Sequence, residues 1–526
     1  MKTLLLSISI SWSAAFAATA SCDSLAKLAL AHTTIEHAES IHSGSFQPPH
    51  GKAIANLPPF CRVSGVIRPS ADSNIQFEVW MPESGWNNKF FGVGNGGFAG
   101  AISFDQMGAA VRNGYATAST DTGHQANGID ASWALHHPEK IADFGYRAIH
   151  ETAAKAKSIV SAFYGEGAKR SYFSSCSNGG RQALMEAQRY PDDYDGIVAG
   201  APANYWTHLL SNAAANTLAL GNPESAISAK KLPAIEKAAL QTCDSLDGVK
   251  DGVLEDPSRC RLKPSILECS SAESDSCLTA PQLTALKQLY AGARLSNGQI
   301  VFPGYPPGGE AEPGGWAPWI TGGSGQPSLM YSFSTQFFKN MVFSDPGWDF
   351  HTFNPDRDTK TAGVKMAKFL DATSPDLSRF HARGGKLILY HGWSDAAISA
   401  YNTVDYYKSV VSKMGATKTA GFVRLYMVPG MQHCGGGPGP DSFGQFGPPA
   451  AGPDRDLGAA LERWVEQGTP PAEIIAVRHK KDSDASSEVI ESRPLCVYPQ
   501  IARYKGSGST NDAANFSCEN PGAAPR

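Results

Sequence analysis

Along most of the chain, short apolar runs alternate with longer segments of helical spacing. Residues 74–82 (NIQFEVWMP), 89–97 (KFFGVGNGG) and 115–120 (YATAST) read as successive strands. Residues 144–165 combine helical spacing with good helix formers. A strand follows at 170–176 (RSYFSSC), then a helix at 179–190 ended by Pro191, then a buried strand at 194–202. Downstream, 385–392 reads as a strand, 397–415 as a helix, 422–430 as a strand and 457–468 as a last helix. Alternating β and α elements predict an α/β fold with a mostly parallel sheet covered on both faces.

Residues 204–370 break this rhythm. They hold four of the cysteines and many Gly, Pro and Trp residues, with no clear strand–helix alternation. We read them as a domain inserted between strands 194–202 and 385–392. An insertion at the C-terminal edge of such strands overhangs the crevice where open α/β sheets bind ligands. The expected organisation is therefore a leader over 1–20, a core over 21–203, the inserted domain over 204–370, and the rest of the core over 371–526. The Gly/Pro-rich stretch 435–453 reads as a loop within the core.

The length of 526 residues suits such a division. The formal net charge of −4 gives no reason to expect nucleic acid or an anionic membrane as partner. Lys2, the short apolar run LLLSISIS and the small residues AAFAATA form a secretory signal pattern, with cleavage expected after Ala17 or Ala20. No later stretch is long and apolar enough to span a bilayer.

The ten cysteines of an exported chain suggest five disulfides, and the absence of any CxxC argues against a zinc ribbon or a redox motif. Pairing neighbours gives Cys22–Cys61, Cys243–Cys260, Cys269–Cys277 and Cys496–Cys518, and leaves Cys176 and Cys434. Other pairings stay open at this stage, including two buried free thiols. Cys176 directly precedes Ser177, and Cys434 directly follows His433. A bond between those two cysteines would bring the serine and the histidine within side-chain reach, since bonded cysteines keep their Cα atoms about 5.5 Å apart.

Ser177 sits where a strand turns into a helix, which would lift its hydroxyl above the sheet edge beside a helix N-terminus. The local pattern is S-C-S-N-G. Ser175 replaces the first glycine of G-x-S-x-G, and Gly179 supplies the second. Asp395 follows the strand in LILYHGWSD, and His433 follows the strand in RLYMVPG. Serine, aspartate, histidine is the chain order of α/β-hydrolases. His433 would take the Ser177 proton and Asp395 would orient the imidazole, with Asp441 a weaker rival for the acid. His391 and His124 are given loop or packing roles. Oxyanion donors are expected from the backbone N–H of Asn178 and from the glycine loop 92–100, at Gly97 with Gly96 close behind. In CDSLDGVKDGVLEDP (243–257), Asp244, Asp247 and Asp251, with the carbonyls of Val249 and Val253, would suit a structural Ca²⁺; a solvated acidic turn is the alternative.

Together these motifs resemble the tannase/feruloyl esterase family of secreted α/β-hydrolases. That family carries a serine and a histidine each flanked by a cysteine, the two cysteines bonded to each other, and a lid domain with a structural calcium loop. Here the matching residues are Cys176–Ser177, His433–Cys434, Asp395 in HGWSD, and DSLDGVKDG. Residues 493–518 resemble the bacterial branch, which includes a hydrolase of mono(2-hydroxyethyl) terephthalate. The resemblance implies cleavage of esters of aromatic acids, with ferulate first, gallate second and phthalate-type monoesters third. It also implies an acid pocket, for which Trp316, Trp319, Phe333 and Ile398 are candidates. The terephthalate-ester enzyme uses a lid arginine to hold a free carboxylate, and the corresponding stretch 326–338 has Leu329 and no arginine. The substrate expected is thus a small phenolic ester, in nature carried on plant polysaccharide or tannin. The contrasting expectation is a calcium-dependent secreted carbohydrate binder built on a hydrolase scaffold.

Overall fold

A computed structural model describes residues 20–323, 326–481 and 486–522. The expected leader and its cleavage site fall almost wholly outside the described residues.

The central sheet has nine strands: β1 (Thr33–Ile41), β2 (Phe60–Ile67), β3 (Ile75–Pro82), β4 (Lys89–Val93), β5 (Ala116–Thr120), β6 (Arg170–Cys176), β7 (Gly196–Gly200), β8 (Lys386–Gly392) and β9 (Val423–Val428). They lie in the order β1-β2-β3-β5-β4-β6-β7-β8-β9. The first three run antiparallel to their neighbours, and from β5 to β9 the pairing is parallel. Strands β3 to β9 match the runs read from the sequence. Strands β1 and β2 do not follow from it: β1 is an edge strand with no fully buried position, so it lacks an apolar signature.

Side chains of the parallel strands point alternately to the two faces of the sheet, as the pleat requires, and both faces are buried. Leu387 and Leu389 enter one core with helices α2 (Ala148–Tyr164), α3 (Asn178–Arg189) and α9 (Ala400–Met414). Ile388 and Tyr390 enter the opposite core with α1 (Phe104–Arg112) and α10 (Leu457–Gln467). The sheet is therefore clad on both faces and is of the α/β-hydrolase type.

Between β7 and β8 the described chain is mainly helical: α4 (Trp206–Leu220), α5 (Leu232–Cys243), α6 (Ala280–Ala291), α7 (Leu329–Gln336) and α8 (Pro355–Leu370). The sequence pattern hid these helices for two reasons. Helix α4 is buried through most of its length, so it shows no polar face. The 303–328 stretch between α6 and α7 is dominated by Gly and Pro. After α10 come two antiparallel pairs, β10 (Glu473–His479) with β11 (Val489–Cys496), and β12 (Ile501–Tyr504) with β13 (Phe516–Glu519).

The cysteines join in five disulfides, Cys22–Cys61, Cys176–Cys434, Cys243–Cys260, Cys269–Cys277 and Cys496–Cys518, and none is free. Among the described residues no helix is long and apolar enough to cross a membrane.

Candidate active site

Cys176, Gly200 and Tyr390 form one rung across β6, β7 and β8. Gly200 is required there, because a Cβ would come within 2.1 Å of the Tyr390 ring. Ser177 follows at once. Its N–H donates to Gly200 O at 3.0 Å, and its backbone takes φ 67°, ψ −126°. That conformation costs a non-glycine residue on the order of 1–3 kcal/mol, and it turns the chain sharply from β6 into α3. Serine is tolerated at 175 because Gly179 and Gly94 leave room for it: a Cβ on Gly179 would lie 1.8 Å from Ser175 Oγ, and one on Gly94 would lie 2.7 Å away.

Ser177 Oγ lies 2.9 Å from His433 Nε2, and His433 Nδ1 lies 2.8 Å from Asp395 Oδ2. The Cys176–Cys434 bond holds the flanking Cα atoms 6.0 Å apart. Asp395 is fully enclosed, at 1% exposure. Its Oδ1 accepts from the N–H groups of Ala397 (2.8 Å) and Ile398 (2.9 Å). Asp441 accepts from Gly436 N–H instead, within its own loop.

The sequence pattern suggests a loop or packing role for His391. The structure brings His391 onto the acid. Its Nε2 lies 3.0 Å from Asp395 Oδ2, the oxygen that also meets His433, and 3.0 Å from Ile398 O. A nitrogen facing two acceptors carries the proton, so His391 donates. Its Nδ1 meets Thr403 Oγ1 at 2.7 Å. Burial pushes the Asp395 carboxyl up. The opposing charge of His433 and hydrogen bonds from His391 and His433 outweigh that push and hold it below the usual carboxylate range.

The glycine loop is tied to α3. Asn95 N–H donates to Gln182 Oε1 at 2.9 Å, Gln182 Nε2 donates back to Asn95 Oδ1 at 3.1 Å, and Asn178 Nδ2 reaches Asn95 O at 3.4 Å. Arg181, fully buried, fixes the Asn178 side chain through Nε at 2.8 Å. These bonds set Gly96, Gly97 and Asn178 around Ser177 on the wall of one cavity. Gly97 has φ 55°, and a Cβ there would strike Gly128 O at 2.1 Å. Asn95, Arg181 and Gln182 were not identified from the sequence; nothing local distinguishes them from surface amides and cations.

The cavity holds about 400 Å³. Trp319, Phe333 and Ile398 line it, joined by Trp206, Leu209, Leu210 and Met330. Trp319 meets the His433 ring edge-on at 5.1 Å and stacks on Phe333. Trp316 is a correction: it does not line the cavity. It is 2% exposed and packs on Tyr290 and Tyr305, and of these Tyr305 reaches the cavity wall. The wide helical turn over Ala317–Thr321 separates the directions of the two tryptophans. Among the described lining residues there is no Arg, Lys, Asp or Glu. Two lining residues carry buried polar atoms without hydrogen-bond partners, Trp206 Nε1 and Gln106 Oε1.

Away from the cavity, the 243–257 loop folds on itself. Asp247 accepts from Val249 N–H, Asp251 from Val253 N–H, and Asp244 from Gly252 N–H. Asp244 Oδ1, Asp247 Oδ2 and Glu255 Oε2 are buried without hydrogen-bond partners, and Glu255 Oε2 faces Arg493 at 4.0 Å. Burial pushes Asp247 up to about 6 and Glu255 up to about 8. Asp251 also meets Arg493 at 2.8 Å.

A family model described as tannase and feruloyl esterase matches residues 61–519. An uncharacterized esterase of Xanthomonas campestris pv. campestris is 45% identical, over 95% of this chain and 91% of its own length. The mono(2-hydroxyethyl) terephthalate hydrolase of Piscinibacter sakaiensis is 34% identical, over 90% of this chain and 87% of its own. The crystal structure of feruloyl esterase B from Aspergillus oryzae superposes with a TM-score of 0.87 at 30% identity, covering 95% of this chain and 99% of that one.

Proposed function

The chain belongs to the tannase and feruloyl esterase family and is a carboxylic ester hydrolase, and from that premise we propose that it is a secreted serine esterase of phenolic-acid esters, ferulate first. The observation that carries this reading is the unbroken hydrogen-bonded series Ser177–His433–Asp395 opening into an aromatic cavity with no charged wall.

In this reading His433 Nε2 takes the Ser177 proton as Oγ attacks the ester carbonyl carbon. The oxyanion that forms is met by the N–H groups of Asn178 and Gly97. Collapse breaks the bond to the alcohol oxygen, which leaves with the proton from His433 Nε2, and the acyl group stays on Ser177. A water then gives its proton to His433 and attacks the same carbon. Ser177 leaves with that proton and the free acid departs. Asp395 remains a carboxylate throughout.

A terephthalate monoester would bring a second, charged carboxylate into a cavity whose described walls offer it no cation. A ferulate ring asks only for apolar contact and neutral partners, which these walls supply. Gallate, with its extra hydroxyls, suits so apolar a wall less well. The helical stretch within 204–370 acts as the lid of this reading, since it supplies Trp206, Leu209, Trp319 and Phe333. Five disulfides suit an oxidising compartment outside the cytoplasm.

The 243–257 loop fits a hard cation, because two of its aspartates hold buried carboxylate oxygens with nothing to bond. Asp244, Asp247 and Asp251 would hold Ca²⁺ with the carbonyls of Val249 and Val253. The ion would brace the loop against Arg493 and the C-terminal strands, away from the chemistry.

The test is a panel of methyl ferulate, methyl gallate and mono(2-hydroxyethyl) terephthalate with the unaltered protein and Ser177→Ala. Ferulate should be the preferred ester, and the variant should fold and lose turnover. Full activity of the variant removes the mechanism. Failure of a fluorophosphonate to label Ser177 would favour a binding protein instead.

A further inference from the structure

Phe446 stands out against the rest of the molecule. Among the described Phe, Tyr and Trp residues it alone is exposed, with 51% of its surface open, and it lines the catalytic cavity. An aromatic ring left in water forfeits the free energy that burial would return.

Its position is built. Ser174 Oγ, on β6 three residues before the nucleophile, donates to Gln445 O at 3.2 Å. The Gln445 side chain is 4% exposed. It donates to Asp441 O at 2.6 Å and reaches Cys434 O at 3.5 Å, while accepting from Phe443 N–H at 3.0 Å. Phe443 is buried edge-on against Tyr390 at 5.3 Å, and Ser442 pairs with Val477 of β10. The loop therefore delivers residue 446 from anchors on β6, β8, β10 and the His433–Cys434 segment. The ring comes to rest beside Gly435, where a Cβ would lie 3.8 Å from Phe446 Cε2.

The cavity wall is of two kinds. Trp206, Leu209, Leu210, Met330 and Ile398 are buried, each at most 7% exposed. Phe446 is exposed, and its ring lies beside Gly435, two residues past His433. In an esterase the leaving alcohol must lie by the imidazole that protonates it. The acyl half suits the buried wall, and the alcohol half the exposed ring near His433.

We propose that Phe446 is the platform of a leaving-group subsite, selective for esters whose alcohol carries a ring with an apolar face. The inference rests on the esterase reading above. The shared chemistry is an apolar ring surface, the C–H face of a sugar or the π face or C–H edge of an aryl ring.

The experiment measures kcat/KM for the methyl, benzyl and glucosyl esters of one acid, with the unaltered protein, Phe446→Ala and Phe446→Trp. Phe446→Ala should lower the ring-to-methyl ratio about tenfold, the size of one aromatic contact, mainly through KM. Phe446→Trp should keep that ratio. A fall for glucosyl alone identifies a sugar, and a fall for both identifies any ring. An unchanged ratio overturns the subsite while leaving the esterase intact. Hydrolysis of none of the three esters by the unaltered protein removes the esterase reading and the subsite with it.

Discussion

Replacing Cys176 and Cys434 together by alanine removes the covalent link beside Ser177 and His433. The two cysteines are 258 residues apart. Chain entropy assigns closing a loop of that length about 5–6 kcal/mol at 25 °C. The nested bridges Cys243–Cys260 and Cys269–Cys277 shorten the loop too little to matter, because the cost grows only with the logarithm of length. Unfolding entropy of roughly 2.1 cal/mol/K per residue, over 526 residues, converts that loss into a fall of about 5 °C in Tm. Activity is the sharper readout. The His433 loop keeps some non-covalent support: Gln432 N–H to Gly436 O and Ser394 N–H to Met431 O, both at 3.0 Å. Without the bond Ser177 and His433 can drift, and a misplacement of about 1 Å costs on the order of a hundredfold. The expected result is kcat down by about that factor at 25 °C, KM little changed, and an unaltered far-UV circular dichroism spectrum. A double variant with kcat within about twofold of the parent would show that the sheet and loops align the pair unaided, and the clamp argument would fail.

Three further outcomes follow from the same geometry. His391→Ala should lower kcat by roughly 10–100-fold, the worth of one hydrogen bond to a charged group, with the deficit deepening toward acid pH; His391→Gln, which restores a donor, should recover part of it, and equal rates for both variants would deny His391 its positioning role. Chelation with EGTA should lower Tm and calcium should restore it, while metal analysis that finds no bound ion would end the calcium assignment. Asp121 is 2% exposed with an unpaired Oδ2, and burial pushes it up to about 7. The unfolded chain therefore releases this proton first, and stability falls as pH rises from about 4 through 7; Asp121→Asn should flatten that dependence, and an unchanged pH–Tm slope would count against it.

Much of the fold was legible because burial in a parallel sheet is a local pattern. Runs such as LILY (387–390) are apolar on successive residues because both faces of the strand are covered. Edge strand β1 and the largely buried helix α4 escaped, since one shows too little contrast with solvent and the other too little polar face. The chain order of Ser177, Asp395 and His433 was also legible, because each follows a strand and parallel strands end on one edge.

The sequence by itself thus marked the alternating architecture, the residues Ser177, Asp395 and His433 that meet in one hydrogen-bonded series, and the cysteines that flank two of them. Only the tertiary structure decided that His391 shares the Asp395 oxygen, that Asn95 and Gln182 lock the glycine loop to α3, that Trp319 faces the cavity while Trp316 does not, and that Phe446 stands at its mouth. The reason is physical. A periodic pattern records which side of an element avoids water, whereas a hydrogen bond or a cavity wall depends on where segments far apart along the chain converge.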